Sequence, residues 1–175
     1  MTRSVQRFPL LSRILHWTMA VLVIAMLLIG IGMVSTTSSR YYTLLSVHRT
    51  IGIIILVLVA VRLVNRLLAP PPPLPADLPA WQQLMAKASH IVLYVLMFAL
   101  PLIGWSMLSA GGYPIRIFGT IDLPPILPHN VALFAILRLA HSLLALLLFA
   151  TFLAHLGAAL FHSWVRRDDV LKSMI

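Results

Sequence analysis

Seven histidines are the chemistry-bearing residues of this chain: His16, His48, His90, His129, His141, His155 and His162. Six of them lie in or at the ends of long apolar stretches. An imidazole in such a place is costly, and it marks a cofactor, a proton path or a partner inside a helix bundle. His141 and His155 are 14 residues apart, which on a helix is about 21 Å along the axis and within about 40° of one face. One helix therefore presents two imidazoles in line, at two depths. A b-type haem held by two imidazoles takes one from each of two facing helices, because its axial positions lie on opposite sides of a flat ring. His48 is the natural partner of His141 at one depth, and His16 the partner of a histidine at the other. Two haem b groups stacked across a bundle follow from that spacing.

The residues alone leave the inner partner of His16 open. His16 is three residues inside Arg13, His162 four inside Arg166 and His155 eleven inside it, so flat depth matching favours His162. Ligands at 141 and 162 would separate two irons by about 31 Å, too far for fast direct transfer, which favours His155. With His155 as ligand, His162 sits two turns closer to water on nearly the same face, where an imidazole can hand protons to a quinone. His90, at the start of the third stretch, is a second quinone-side candidate, and His129 reads as a loop residue. Arg13 and Arg138 each precede a histidine by three residues and share its face, while Arg49 follows His48 directly. An arginine so placed can neutralise a haem propionate through charge-assisted hydrogen bonds. Each of the three also reads as a marker of the membrane boundary.

Four apolar segments must position these groups. The hydrophobic set makes up 61% of the 175 residues and charged residues only 10%, where a soluble domain carries about a quarter charged. Mean hydropathy is +0.99. About 20 apolar residues span a bilayer, and the charge-poor stretches predict helices at about 10–34, 41–67, 82–109 and 131–165 of a single transmembrane domain covering 1–175. The expected fold is all-α, an integral membrane four-helix bundle with the haems between the helices. The first stretch is too long for a cleaved signal peptide and no A-x-A site follows it. The run Pro70-Pro71-Pro72-Pro73 cannot be helical. Residues 110–130, with Gly111-Gly112 and four prolines, read as a loop outside the bilayer, and Pro101 should bend the third helix.

Charge gives the orientation. Thirteen Lys and Arg against four acidic residues leave a formal +9, which on a soluble protein suggests nucleic acid. Here the charges flank apolar runs, so topology explains them and no nucleic-acid partner is expected. Arg3, Arg7, Arg13, Arg62, Arg66, Lys87, Arg166, Arg167 and Lys172 fall on one side, and Arg40, Arg49, Arg116 and Arg138 on the other. The positive-inside rule then puts both termini in the cytoplasm. The chain has no Glu and no Cys, which excludes carboxylate-bridged di-metal centres, thiolate-held clusters and C-x-x-C-H haem attachment. Any redox cofactor is held without a covalent bond.

These residues resemble the bacterial cytochrome b561 family, four-helix, two-haem membrane proteins of which some act as superoxide oxidase. The resemblance covers essentially the whole chain. It is carried by Leu15-His16-Trp17, by Val47-His48-Arg49-Thr50-Ile51-Gly52, by Val61-Arg62-Leu63 with the proline run, by His90-Ile91-Val92-Leu93-Tyr94, by Leu100-Pro101-Leu102-Ile103-Gly104, and by His141 followed by His155. It implies that His16 and His155 bind the cytoplasmic-side haem, that His48 and His141 bind the outer one, and that His162 faces a ubiquinone.

The expected function is electron transfer between the periplasmic face of a bacterial inner membrane and the ubiquinone pool. Neither haem has an open coordination position in this scheme, so the transfer is outer-sphere and no side chain is assigned a catalytic role. Arg40, Arg49, Arg116 and Arg138 against Asp122 give the outer side a balance of +3. That field attracts a small anion such as superoxide, the expected donor. It attracts an acidic periplasmic redox partner equally. A membrane subunit serving a periplasmic cytochrome, hydrogenase or dehydrogenase is therefore the alternative. A histidine-based metal transporter is a distant third, because intramembrane Asp, Glu and Cys are missing.

Overall fold

The computed structural model describes residues 7–73 and 78–175; Arg3 lies outside them. Four long helices dominate: α1 Leu10–Ser35, α2 Arg40–Leu68, α3 Ala80–Ala110 and α4 Val131–Phe161. Each is long and apolar enough to cross a membrane, and the chain is a membrane four-helix bundle. Pro9 and Pro79 stand immediately before α1 and α3, where a missing N–H and a fixed φ cost nothing. Asn130 caps α4 by accepting a hydrogen bond from the Leu133 amide at 2.9 Å. Pro101 lies within α3, which continues unbroken from Ala80 to Ala110.

α1 packs on α2, α2 on α3 and α3 on α4, whereas α1 and α4 make no comparable contact. The buried core is a single cluster of Met19, Val23, Ile55, Val59, Leu96, Met97, Leu100 and Leu148. Leu148 is seven residues from both His141 and His155, so the core fills the layer between the two histidine levels. Most other large apolar side chains point outwards. In lipid that orientation is free of the penalty it carries in water, and helix association rests on close packing instead.

Two features add to the expected helices. The α3–α4 connection holds a hairpin, β1 Ile115–Ile117 paired antiparallel with β2 Ile121–Leu123. Three residues, Phe118, Gly119 and Thr120, join the strands; the first two have positive φ, 50° and 74°, and the Thr120 amide donates to the Ile117 carbonyl at 3.2 Å, which closes a turn of the primed type. Ile115 and Ile117 are buried against the bundle, while Arg116 and Asp122 form an exposed cross-strand ion pair at 2.9 Å. At the other end, α4 passes into one π-helical turn, His162–Arg166. Arg167 then takes a left-handed φ of 54° and the tail folds back beneath α1. There the Phe8 amide donates to the Ser173 carbonyl at 2.9 Å and Trp17 Nε1 to the Met174 carbonyl at 2.8 Å. Both described chain ends therefore meet at the end of the bundle opposite the hairpin.

Candidate functional site

The site is built on two levels. At the hairpin end, α2 presents His48 and α4 presents His141, with ring centroids 6.1 Å apart and planes at 64°. An apolar cavity of about 190 Å³ adjoins the pair, lined by both imidazoles and by Gly52, Gly104, Ile115 and Ile117. Gly104 brings α3 close: a Cβ there would lie 3.5 Å from His141 Cε1. The two residues after His48 anchor the hairpin over this level. Arg49 Nη1 donates to the Pro114 carbonyl at 2.8 Å, and Thr50 Oγ1 accepts from the Phe118 amide at 3.1 Å.

At the termini end, His16 of α1 and His155 of α4 have ring centroids 6.3 Å apart and planes at 66°. His155, rather than His162, is the α4 imidazole that meets His16. A third imidazole joins them, the His90 ring from α3 lying 5.2 Å from that of His155. Two of these links cross between α1 and α4 or α2 and α4, the seam along which the helices themselves pack least.

The donor set says what fits there. The Nδ1 atoms of His48 and His141 are both buried, and that of His48 has no hydrogen-bond partner. A bare divalent ion of the first transition row takes about four donors, and among the described residues no three His or Asp side chains converge on such a point. Two opposed imidazoles supply two donors, so a metal held between them would need its remaining donors from its own ligand, as iron in a porphyrin has them. Metal to imidazole nitrogen is about 2.1 Å, which sets the flanking nitrogens about 4.2 Å apart and their ring centroids somewhat further. The observed 6.1 and 6.3 Å agree with that spacing.

The family comparison agrees with the same cofactor. The model of the prokaryotic cytochrome b561 family matches residues 7–175. This chain belongs to that family. Similar proteins include cytochrome b561 homolog 2 of Escherichia coli K12, 32% identical over 99% of this chain and 94% of the relative. Cytochrome b561 homolog 1 of the same strain is 31% identical over 79% and 78%. A protein of Yersinia pestis named probable superoxide oxidase CybB is 34% identical over 74% and 73%. As a prokaryotic cytochrome b561, the chain is a multi-pass membrane electron-transfer protein of the b type, and haem b is the cofactor that membership implies.

Other residues singled out from this cytochrome's sequence fall as follows. His162 is turned to the tail, its Nδ1 2.6 Å from Asp168 Oδ2, and Arg166 Nε donates to the same oxygen at 3.2 Å. Burial alone would raise the Asp168 carboxyl. Hydrogen bonds from His162, the Val170 amide and Arg166 outweigh it and hold the group below the usual carboxylate range. His90 belongs with the inner imidazoles rather than beside His162. Arg13 and Arg49 each bury an Nε without a partner, whereas Arg138 is exposed. His129 is an exposed loop residue. The sequence reading missed Arg62, whose Nη2 lies 2.9 Å from His16 Nδ1, and Asp168. Their partners are separated in the chain by 46 and six residues, and no helical periodicity links either pair.

Proposed function

We propose that the chain carries two haem b groups, one between His48 and His141 and one between His16 and His155, and that it oxidises superoxide and reduces ubiquinone. The observation that carries this is the pair of opposed imidazole couples on one α4 face. They stand 14 residues apart, about 21 Å along the helix. When bound, the haems supply one-electron exchange between the two levels. Two superoxide anions each lose one electron to give dioxygen, and one quinone takes two electrons and two protons.

The chain's own residues orient and neutralise. Helix packing fixes each imidazole, and Arg13 at the inner level and Arg49 and Arg138 at the outer one are counter-charges for propionates. Arginines 40, 49, 116 and 138 draw superoxide to the hairpin end, and the name of the Yersinia relative supports that donor. At the other end, His162 Nδ1–H hydrogen-bonds to the Asp168 carboxylate, which leaves Nε2 free to take a proton from cytoplasmic water and pass it to reduced quinone. His90 is a second proton carrier. The basic excess at the termini end supports an inner-membrane protein with both termini in the cytoplasm. Incubation of the purified protein with a superoxide source and ubiquinone tests the reading, with quinone reduction dependent on superoxide as the expected result. Haems that accept electrons only from an acidic periplasmic protein would favour the subunit reading.

A further inference from the structure

A pair of cations at the termini end of α2 is not used by anything above. Arg62 and Arg66 are one turn apart, and both guanidinium carbons lie against the Tyr94 ring of α3, 5.6 and 5.9 Å from its centroid. Arg62 also reaches α1 through its contact with His16. Between the two arginines, Asn65 Nδ2 donates to Ser12 Oγ at 2.7 Å and ties α2 to α1. These residues line a recess shared with Phe8 and Met174, which Arg62 connects to the inner level through His16.

Like charges one turn apart repel, and a partly buried cation gives up hydration that only an anion restores fully. Among the described residues the carboxylates are engaged elsewhere: Asp122 with Arg116, Asp168 with His162 and Arg166, and Asp169 with Lys172. None of them pairs with Arg62 or Arg66, and the chain has no Glu. No described side-chain carboxylate neutralises the cluster, which leaves it able to take a further anion.

Hydrogen-bond chemistry selects that anion. A guanidinium only donates, so His16 Nδ1 accepts in its contact with Arg62. An imidazole that gives Nε2 to a metal carries its proton on Nδ1 and can no longer accept. Ligation of His16 through Nε2 would therefore release the Arg62 fork for another acceptor beside the inner imidazoles. We infer that Arg62, backed by Arg66 and oriented by Tyr94, holds a propionate of the haem bound between His16 and His155. This rests on the two-haem reading above and adds a second cation to Arg13 at the inner level.

A redox titration of the purified full-length protein tests it, with the inner haem identified as the component missing from His155→Ala. A cation beside a haem favours the reduced form. Arg62→Gln should therefore lower the inner potential by about tenfold in the reduction equilibrium, about 59 mV for one electron. The outer potential should stay where it is, and Arg62→Lys should recover most of the shift. An inner potential unmoved in Arg62→Gln would overturn the assignment while leaving both haems in place. Loss of the inner haem in Arg62→Gln supports it if Arg62→Lys restores binding and counts against it otherwise. A wild-type chain with fewer than two haems would overturn this inference and the two-haem reading together.

Discussion

His48 and His141 meet across the α2–α4 seam with ring centroids 6.1 Å apart and planes at 64°. If this pair holds one haem, His141→Ala removes that haem and spares the other. Haem content should fall from two per chain to one, with the inner absorption component intact. Two haems retained in the variant would contradict the pairing.

Gly104 offers a steric test of the same level. A Cβ at this position would touch His141 Cε1 at an ordinary 3.5 Å, so Gly104→Ala should bind haem as the parent does. Gly104→Leu extends a branched side chain into the cavity beside the imidazole and should lose the outer haem selectively. Equal haem content in the two variants would mean that α3 does not define the wall of this site.

Proton delivery is assigned to His162 through Asp168. His162→Ala should keep both haems and slow quinone reduction by about 10²-fold or more, the usual contribution of a positioned acid or base. Asp168→Asn should lie between that variant and the parent. Unchanged quinone kinetics in His162→Ala, measured under a fixed superoxide flux, would remove this residue from the acceptor site.

The same carboxylate predicts how the tail responds to acid. Hydrogen bonds hold the Asp168 carboxyl below its usual range. A depressed carboxyl stabilises the folded form fully above its unfolded value of about 3.9 and loses that contribution as pH falls through the folded value. Docking of the C-terminal segment should therefore be level from neutral pH to about pH 5 and loosen below about pH 4. Hydrogen exchange at the Val170 amide, which donates to Asp168 Oδ1 at 3.1 Å, reports it. Asp168→Asn should exchange faster at neutral pH and lose the acid dependence.

The four helices were readable because bilayer thickness imposes one length on every span, and charge-poor runs of that length are conspicuous in this chain. The spacing of His141 and His155 was readable for a similar reason, since helical pitch converts it directly into two depths. What was hidden depends on contacts that pitch does not encode. His90 approaches His155 because of how α3 is rotated against α4. Arg62 reads in the sequence as a boundary cation, and only the packing of α1 on α2 sets it beside His16. The strands Ile115–Ile117 and Ile121–Leu123 are too short to show a period, and the burial of Ile115 and Ile117 depends on anchoring by Arg49 and Thr50. His162 meets Asp168 only because Arg167 reverses the chain in a left-handed conformation.

Haem content per chain is the most direct test of the whole account. Protein produced with ample haem supply, then assayed for haem b and for protein in the same sample, should give two haems per chain. One haem per chain, or none, would contradict the proposal that both imidazole pairs serve as ligands.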